Sequence, residues 1–288
     1  MRWILFAPLA LAACGNAGKV ESARAGSTIR LTGDQGTLTL TGRTWKPAIT
    51  IDASAATFTA IVLKNSSGVH IKGGTVIGPG GRSYGIHIQF SRDIAVEAMT
   101  ITGAHRGIVI DRSQDLAIHN NQLTGLLSDG VDVAASQRVI VSGNSCSKFS
   151  PTLAAFNDAG KLVDGDHPDC IQGWSRAPFP PTSDVTVTNN RADGTMQGVF
   201  FRDPGINGGF DRIVIRGNTL RTGLANAIYV EGARDVVVSG NRVSAVPGAT
   251  HVRNGQQVKA WIAFKTSTGT VCGNEIADFP THAFTRPC

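Results

Sequence analysis

The sequence predicts an all-β chain wound as a parallel β-helix, a solenoid in which each turn stacks on the one before. Three observations predict it. A unit of two or three short strands returns after about 22–28 residues. Most units turn at an Asn: Asn121, Asn144, Asn190, Asn218, Asn241 and Asn274, with 23 residues from Asn121 to Asn144 and again from Asn218 to Asn241. Inside the strands apolar and polar residues alternate, as they must when one face is buried. A sandwich or barrel would instead need hairpin signals at 8–12-residue spacing rather than one returning unit.

Composition agrees. The chain has 288 residues, 34 of them Gly, with 41% hydrophobic and 17% charged residues. Gly is well above the usual ~7%, and abundant β-branched residues argue against disorder. Short strands joined by tight turns fit these numbers.

From the N-terminus, Met1-Arg2 precede an apolar run from Trp3 to Ala13. A basic start and an apolar segment too short to span a bilayer read as a signal peptide over residues 1–13. Leu11-Ala12-Ala13-Cys14 resembles a bacterial lipobox, which implies lipidation of Cys14. Gly15 behind it, rather than Asp, implies the outer membrane by the same resemblance. The alternative is an ordinary secretory signal cut near Ala12 or Ala13. Residues 14–27 read as a polar tether and 28–288 as one solenoid domain. Membrane contact is expected only through the lipid, and the chain is expected to be an exported monomer, periplasmic or anchored in the outer membrane of a bacterium. Export implies an oxidising compartment, where Cys146, Cys170, Cys272 and Cys288 can pair. Of three connectivities, Cys146–Cys170 would close the loop before Asp169 and Cys272–Cys288 would pin the C-terminus; the alternative is four free thiols.

One strand series runs Val69-His70-Ile71, Ile94-Ala95-Val96, Leu116-Ala117-Ile118, Val139-Ile140-Val141, Val185-Thr186-Val187, Ile213-Val214-Ile215 and Val236-Val237-Val238, each ahead of its turn. The Asn corners tolerate left-handed backbone, and stacked Asn side chains can hydrogen-bond along the solenoid. A second series begins at Tyr84, Arg106, Asp129, Asp169, Gln197 and Asn226. Its third and fifth positions are mostly apolar and should point inward. Its fourth and sixth should point out, giving the columns His87, Val109, Asp132, Gln172, Phe200, Tyr229 and Gln89, Asp111, Ala134, Trp174, Arg202, Glu231. Neighbouring turns lie about 4.8 Å apart, so residues distant in sequence meet on one surface. Insertions near 147–168, 175–183, 203–210 and 246–259 break the repeat, and the first three flank these columns. Such walls suit a groove for an extended polymer.

The stretch Asp164-Gly165-Asp166-His167-Pro168-Asp169-Cys170-Ile171-Gln172-Gly173-Trp174 concentrates the chemistry. Repeat, Asn corners and groove together resemble the right-handed, single-stranded parallel β-helix of the pectate-lyase-like superfamily over residues 28–288. That resemblance implies a carbohydrate-active protein and leaves lyase, hydrolase, epimerase or binding open. Ser128-Asp129-Gly130-Val131-Asp132-Val133, followed by Asp169-Cys170-Ile171, is similar to the carboxylate-bearing turns of polygalacturonase-type glycosidases. This implies Asp132 and Asp169 as an acid–base pair. No Gly-His-Gly follows Asp169, because Gln197-Gly198-Val199 stands there, and no Arg-Ile-Lys comes later, so hydrolysis is the second expectation.

The first expectation is β-elimination on a uronate polymer. It needs a base, a group to neutralise the carboxylate and a proton for the leaving oxygen. His167 is the candidate base, oriented by Asp166 and Asp169. Arg202 is the candidate clamp on the carboxylate. Gln172, Gln197, Trp174, Asp129 and Tyr229 are candidate substrate contacts, and Arg202 and Lys265 are rival bases. Ca²⁺ is the candidate cofactor, through Asp129, Asp132 and Asp169. Modest basicity, a net charge of +6, suits an acidic polysaccharide or the anionic cell surface. A third expectation is a binding protein without catalysis. The sequence has no Lys/Arg-rich run for nucleic acid. It also has no Cys/His spacing for zinc, no nucleotide loop and no Gly-x-Ser-x-Gly elbow.

Overall fold

Nine strands follow one another up one face of the molecule in a computed structural model, which describes residues 14–203, 208–248, 252–253, 256–257, 259–278, 282–285 and 287–288. They are Thr37–Thr41, Ala60–Lys64, Tyr84–Gln89, Arg106–Asp111, Val131–Ala134, Asp169–Trp174, Gln197–Arg202, Asn226–Glu231 and Trp261–Lys265, and every neighbouring pair is parallel. The intervening strands, including the Val/Ile-rich series, join a second, 19-stranded network around the rest of the coil. The expected all-β parallel solenoid is therefore the observed architecture. The sequence-expected signal peptide, residues 1–13, lies outside the described residues, as do parts of the insertions near 203–210 and 246–259.

Alternation sets the core. Ile86, Ile88, Ile108, Ile110, Val131, Val133, Ile171, Val199, Phe201, Ile228 and Val230 are completely buried. Each such side chain contributes roughly 1.5–3 kcal/mol. One inward position departs from this rule. Gly173 carries no side chain, and a Cβ built there would lie 2.1 Å from the Phe201 ring. The missing atom makes room for the large ring of the next turn.

Polar ladders hold the corners. Asn121, Asn144, Asn190, Asn218, Asn241 and Asn274 are buried, and the side-chain amide of each of the first five donates to the Oδ1 of the next at 2.9–3.0 Å. The same Oδ1 also accepts the backbone N–H of the preceding Asn, for example Asn144 N to Asn190 Oδ1 at 2.9 Å. The left-handed residue is not the ladder Asn, as its tolerance for that conformation suggests, but its predecessor. Asn120, Gly143, Asn189, Gly217, Gly240 and Gly273 have φ between 54° and 66°. A second ladder of Ser66, Ser91, Ser113 and Ser136 passes backbone N–H to Oγ bonds of 3.0–3.1 Å from turn to turn. This one was not visible as a pattern in the sequence.

Residues 14–27, expected as a tether, begin with the helix Cys14–Glu21, which closes the first turn. Val20 is fully buried, and Trp45 donates to the Ala23 carbonyl at 3.0 Å. Apolar surface at the end of the stack accounts for this ordering. The insertion at 147–168 carries the small antiparallel pair Ala155–Phe156 and Leu162–Val163. Disulfides join Cys146 to Cys170 and Cys272 to Cys288. The first ties the base of that insertion to the strand bearing Asp169.

Candidate functional site

The strand registers assemble the outward columns that alternation predicts. Val109 stands beside Asp132, Asp132 beside Gln172, Gln172 beside Phe200 and Phe200 beside Tyr229. In the next column Ala134 adjoins Trp174, and Arg202 adjoins Glu231. At the entry to the strands Asp169 adjoins Gln197.

Three carboxyl groups meet below this surface. Asp129, Asp132 and Asp169 are buried, at 1%, 3% and 0% exposure. The backbone N–H of Asp169 donates to Asp129 Oδ1 at 3.1 Å. Arg106, from the preceding turn, brings Nε to 3.0 Å from Asp129 Oδ2 and a terminal nitrogen to 3.3 Å from Asp132 Oδ2. The contacts are ionic: Arg106 Nε and both oxygens of Asp132 make no hydrogen bond, and neither oxygen of Asp169 does. Burial pushes Asp129 up to about 6, against the opposing pull of Arg106 and the Asp169 amide. Burial, then the charge of Asp129, raises Asp132 well above the usual carboxylate range. Asp169 is raised by burial, then by Asp129 and Asp132. One guanidinium cannot neutralise three buried carboxylates, so protons are retained in the cluster at neutral pH.

A cavity of about 420 Å³ opens over Asp169. It brings together six of the residues singled out from the sequence: His167, Asp169, Gln172, Trp174, Gln197 and Arg202. Phe200 and Asn226 complete much of its wall. Trp174 also faces a second cavity of about 200 Å³, which reaches Asp132 and Arg106 from the other side. The Arg106 guanidinium lies 5.3 Å from the centre of the Trp174 ring.

Several expected roles change in the structure. His167 is exposed and faces Asp164 at 3.3 Å, so Asp166 and Asp169 do not orient it. Asp166 is instead taken by His105 at 2.9 Å and by the Thr152 amide at 2.9 Å, because the insertion folds back toward the preceding turns. Arg202 is an occupied cation, 2.9 Å from Glu231 on the adjacent strand. Tyr229 stands outside the cavity; its ring stacks on Phe200 at 4.8 Å and its hydroxyl reaches Glu231 at 3.0 Å. Gln197 accepts a bond from Asn226. Lys265 lies over the Tyr229 ring at 5.3 Å rather than in the cavity.

Arg106 is the member sequence reading missed. It was visible as an entry-column residue one turn ahead of Asp129, which is the signal that could have found it.

Calcium does not fit the three aspartates. Among the described residues no group of three or more His, Cys, Asp or Glu side chains is arranged to hold a metal ion. A guanidinium already sits at ion-pair distance from two of the three carboxyls.

Comparison with known proteins places the chain. A family model for the right handed beta helix region matches residues 59–260. No curated protein matches the sequence. Among solved structures, the tailspike protein of E. coli bacteriophage HK620, in complex with a pentasaccharide, has a TM-score of 0.51 at 11% identity. The match covers 81% of this chain and 43% of the tailspike, so the chain spans less than half of that protein. An alginate lyase from Paenibacillus sp. has a TM-score of 0.45 at 14% identity, covering 87% of this chain and 95% of the lyase. PfbA, a surface adhesin of Streptococcus pneumoniae, has a TM-score of 0.44 at 13% identity, covering 73% and 64%. At such identities the likeness is one of fold. With 59–260 matched and the coil, ladders and registers in place, this chain belongs to the right-handed β-helix family.

Proposed function

We propose that this chain is a carbohydrate-active enzyme that cleaves glycosidic bonds in an acidic polysaccharide, with the buried carboxyls as its acid–base centre. Asp169 carries the reading. It is fully buried, neither oxygen is hydrogen-bonded, and it stands in the wall of a cavity lined by two glutamine amides, an indole and a guanidinium. Leaving a buried polar atom unpaired costs about 1–3 kcal/mol, a cost a purely structural aspartate does not need. Perturbed carboxyls in a cleft mark a functional site.

Held neutral, Asp169 can protonate the leaving glycosidic oxygen. Of the other two, Asp129 is raised least, to about 6, and keeps its charge at pH 7 beside Arg106; it supplies the base. Two carboxyl groups in opposite protonation states are what glycoside hydrolysis requires. Hydrolysis is therefore the reaction the site supports best. β-Elimination has one specific observation in its favour: His167 and Arg202 line the same cavity as Asp169. In that reading the exposed imidazole takes the proton α to a uronate carboxylate, Arg202 exchanges Glu231 for that carboxylate, and Asp169 remains the acid.

The fold shared with a tailspike that holds a pentasaccharide supports a saccharide partner in general terms. We place the enzyme outside the cytoplasm, anchored through a lipid on Cys14 and acting as a monomer; the two disulfides support export.

The test is a panel of uronate polymers incubated with the wild type and Asp169→Asn. Hydrolysis releases reducing ends alone, whereas elimination also produces an unsaturated uronate absorbing at ~235 nm. Asp169→Asn should fold and lose at least about a hundredfold in rate. Full activity in that variant, or no cleavage of any polymer by the wild type, would sink the proposal.

A further inference from the structure

The second cavity, on the far side of Trp174, has no part in the acid–base chemistry above beyond its contacts with Asp132 and Arg106. Its other lining residues form a site in their own right. Asp111 is 6% exposed, and its Oδ2 accepts from Arg112 Nε at 2.9 Å and from Gln89 at 3.1 Å. Its Oδ1 is buried and has no hydrogen-bond partner. Arg112 is fixed, its guanidinium 4.1 Å from the Phe90 ring and 4.9 Å from the Phe179 ring. His87 packs edge-on against Tyr84 at 5.2 Å. Burial, opposed by the charge of Asp111, holds His87 below its ordinary value, so its ring is neutral at pH 7 and can both donate and accept. Arg176 lines the same cavity from the Pro-rich insertion, exposed, and among the described residues its side chain makes no hydrogen bond or salt bridge.

The charge balance is positive. Arg106, Arg112 and Arg176 line the cavity with two carboxyls. Asp111 is ionised, hydrogen-bonded by Arg112 and held down further by the charge of Arg176, while burial favours the neutral form of Asp132. Arg176 is thus drawn toward Asp111 through space but has no hydrogen-bonded partner among the described residues, at the mouth of a pocket that also offers an unfilled acceptor, a neutral imidazole and the indole of Trp174. A neutral sugar would leave that cation unused. A sugar bearing a carboxylate would pair with it, and its hydroxyls would satisfy Asp111 Oδ1.

We propose that this cavity is a saccharide subsite for a carboxylate-bearing residue of the polymer, with Arg176 gripping the carboxylate and Asp111 and His87 taking its hydroxyls. It rests on the saccharide reading above and extends it. The chain lies across Trp174, one residue in each cavity, with Asp169 on the opposite side from Arg176. Arg176 is then a specificity-determining residue, separate from the acid–base centre.

The experiment is calorimetric titration of the full chain with hexamers of galacturonate, mannuronate and glucuronate, each alongside its carboxyl-reduced neutral form. The wild type should bind one uronate hexamer more tightly than its reduced counterpart. Arg176→Ala should weaken that binding at least about tenfold, the scale of one lost charge-assisted contact, and leave the reduced hexamer unchanged. Arg176→Lys should recover part of the loss. Equal binding of the uronate by Arg176→Ala and wild type overturns the subsite. So does an equal loss for both forms, and so does a wild type that binds no uronate hexamer or does not prefer it. Asp169→Asn separates the two claims: it should bind as the wild type does while cleavage is lost. Retained cleavage there would remove the catalytic reading and leave the subsite standing.

Discussion

Arg106 Nε lies 3.0 Å from Asp129 Oδ2, across one turn of the coil, and this ion pair is buried on the carboxylate side. The same guanidinium reaches Asp132 and spreads over the Trp174 ring. One cation therefore holds together the carboxyl cluster and the partition between two cavities.

Replacing Arg106 by Met should be costly. The substitution keeps volume and removes the only cation that, among the described residues, lies at ion-pair distance from Asp129 and Asp132. Breaking a buried pair from one side costs about 3–5 kcal/mol, reduced here if the carboxyls take up protons. A denaturant titration at pH 7 should show that loss, with a smaller loss at pH 4.5. Unchanged stability at both pH values would mean that Arg106 is not the counter-ion of the cluster.

Stability should rise as pH falls from neutrality toward 4. Asp129 is raised to about 6, so the folded chain holds a proton that the unfolded chain has released. The stabilisation is complete below the unfolded value of 3.8 and is lost as pH rises through about 6. Asp132 and Asp169 are raised as well and act in the same direction. The exposed pairs Arg138–Asp115 and Arg212–Asp184 act oppositely, because their carboxylates are lowered by hydrogen bonds from arginine, but exposed pairs contribute little. Thermal melts between pH 4 and 8 should show the slope, and Asp129→Asn should flatten it. A wild-type melting temperature that climbs from pH 5 to pH 7 would contradict the cluster's electrostatics.

Gly173→Ala should destabilise by about 1–3 kcal/mol through overpacking, since its Cβ would lie 2.1 Å from Phe201. Phe201→Leu alone should also destabilise, by leaving a void. Together they should cost less than the sum, and a double-mutant cycle reads this coupling directly. Strict additivity would show that the ring does not depend on the missing side chain.

The coil was legible in the sequence because its rule repeats. Alternation in each short strand fixes which residues face out, and parallel stacking then aligns them, so Asp132, Gln172 and Phe200 could be placed side by side before any coordinates. Long side chains were less legible. Arg106 reaches two residues of the next turn, and Arg202 reaches Glu231 on the adjacent strand, through torsions that no periodicity encodes. The insertion was least legible. His167 and Asp166 are neighbours in sequence but face different partners, Asp164 and His105, because the loop's path and not its order decides what meets. The serine ladder escaped notice because Ser is common in turns, whereas a recurring Asn at strand ends is conspicuous.

The asparagine ladder has a consequence for how such a molecule can change length. Each member donates to the next and accepts from the one before, so the ladder has translational symmetry: one more turn bearing the same Asn would meet the same partners on both sides. The Asp–Arg cluster has no such symmetry, since the entry column runs Tyr84, Arg106, Asp129, Asp169, Gln197 and Asn226, and its charged residues stand at three consecutive levels only. Duplicating a turn away from residues 106–202 would therefore lengthen the groove without copying its chemistry. Copying one within that span would separate the partners by about 4.8 Å and dismantle it. The scaffold is free to grow by whole turns, and the reactive centre marks the one interval where it is not.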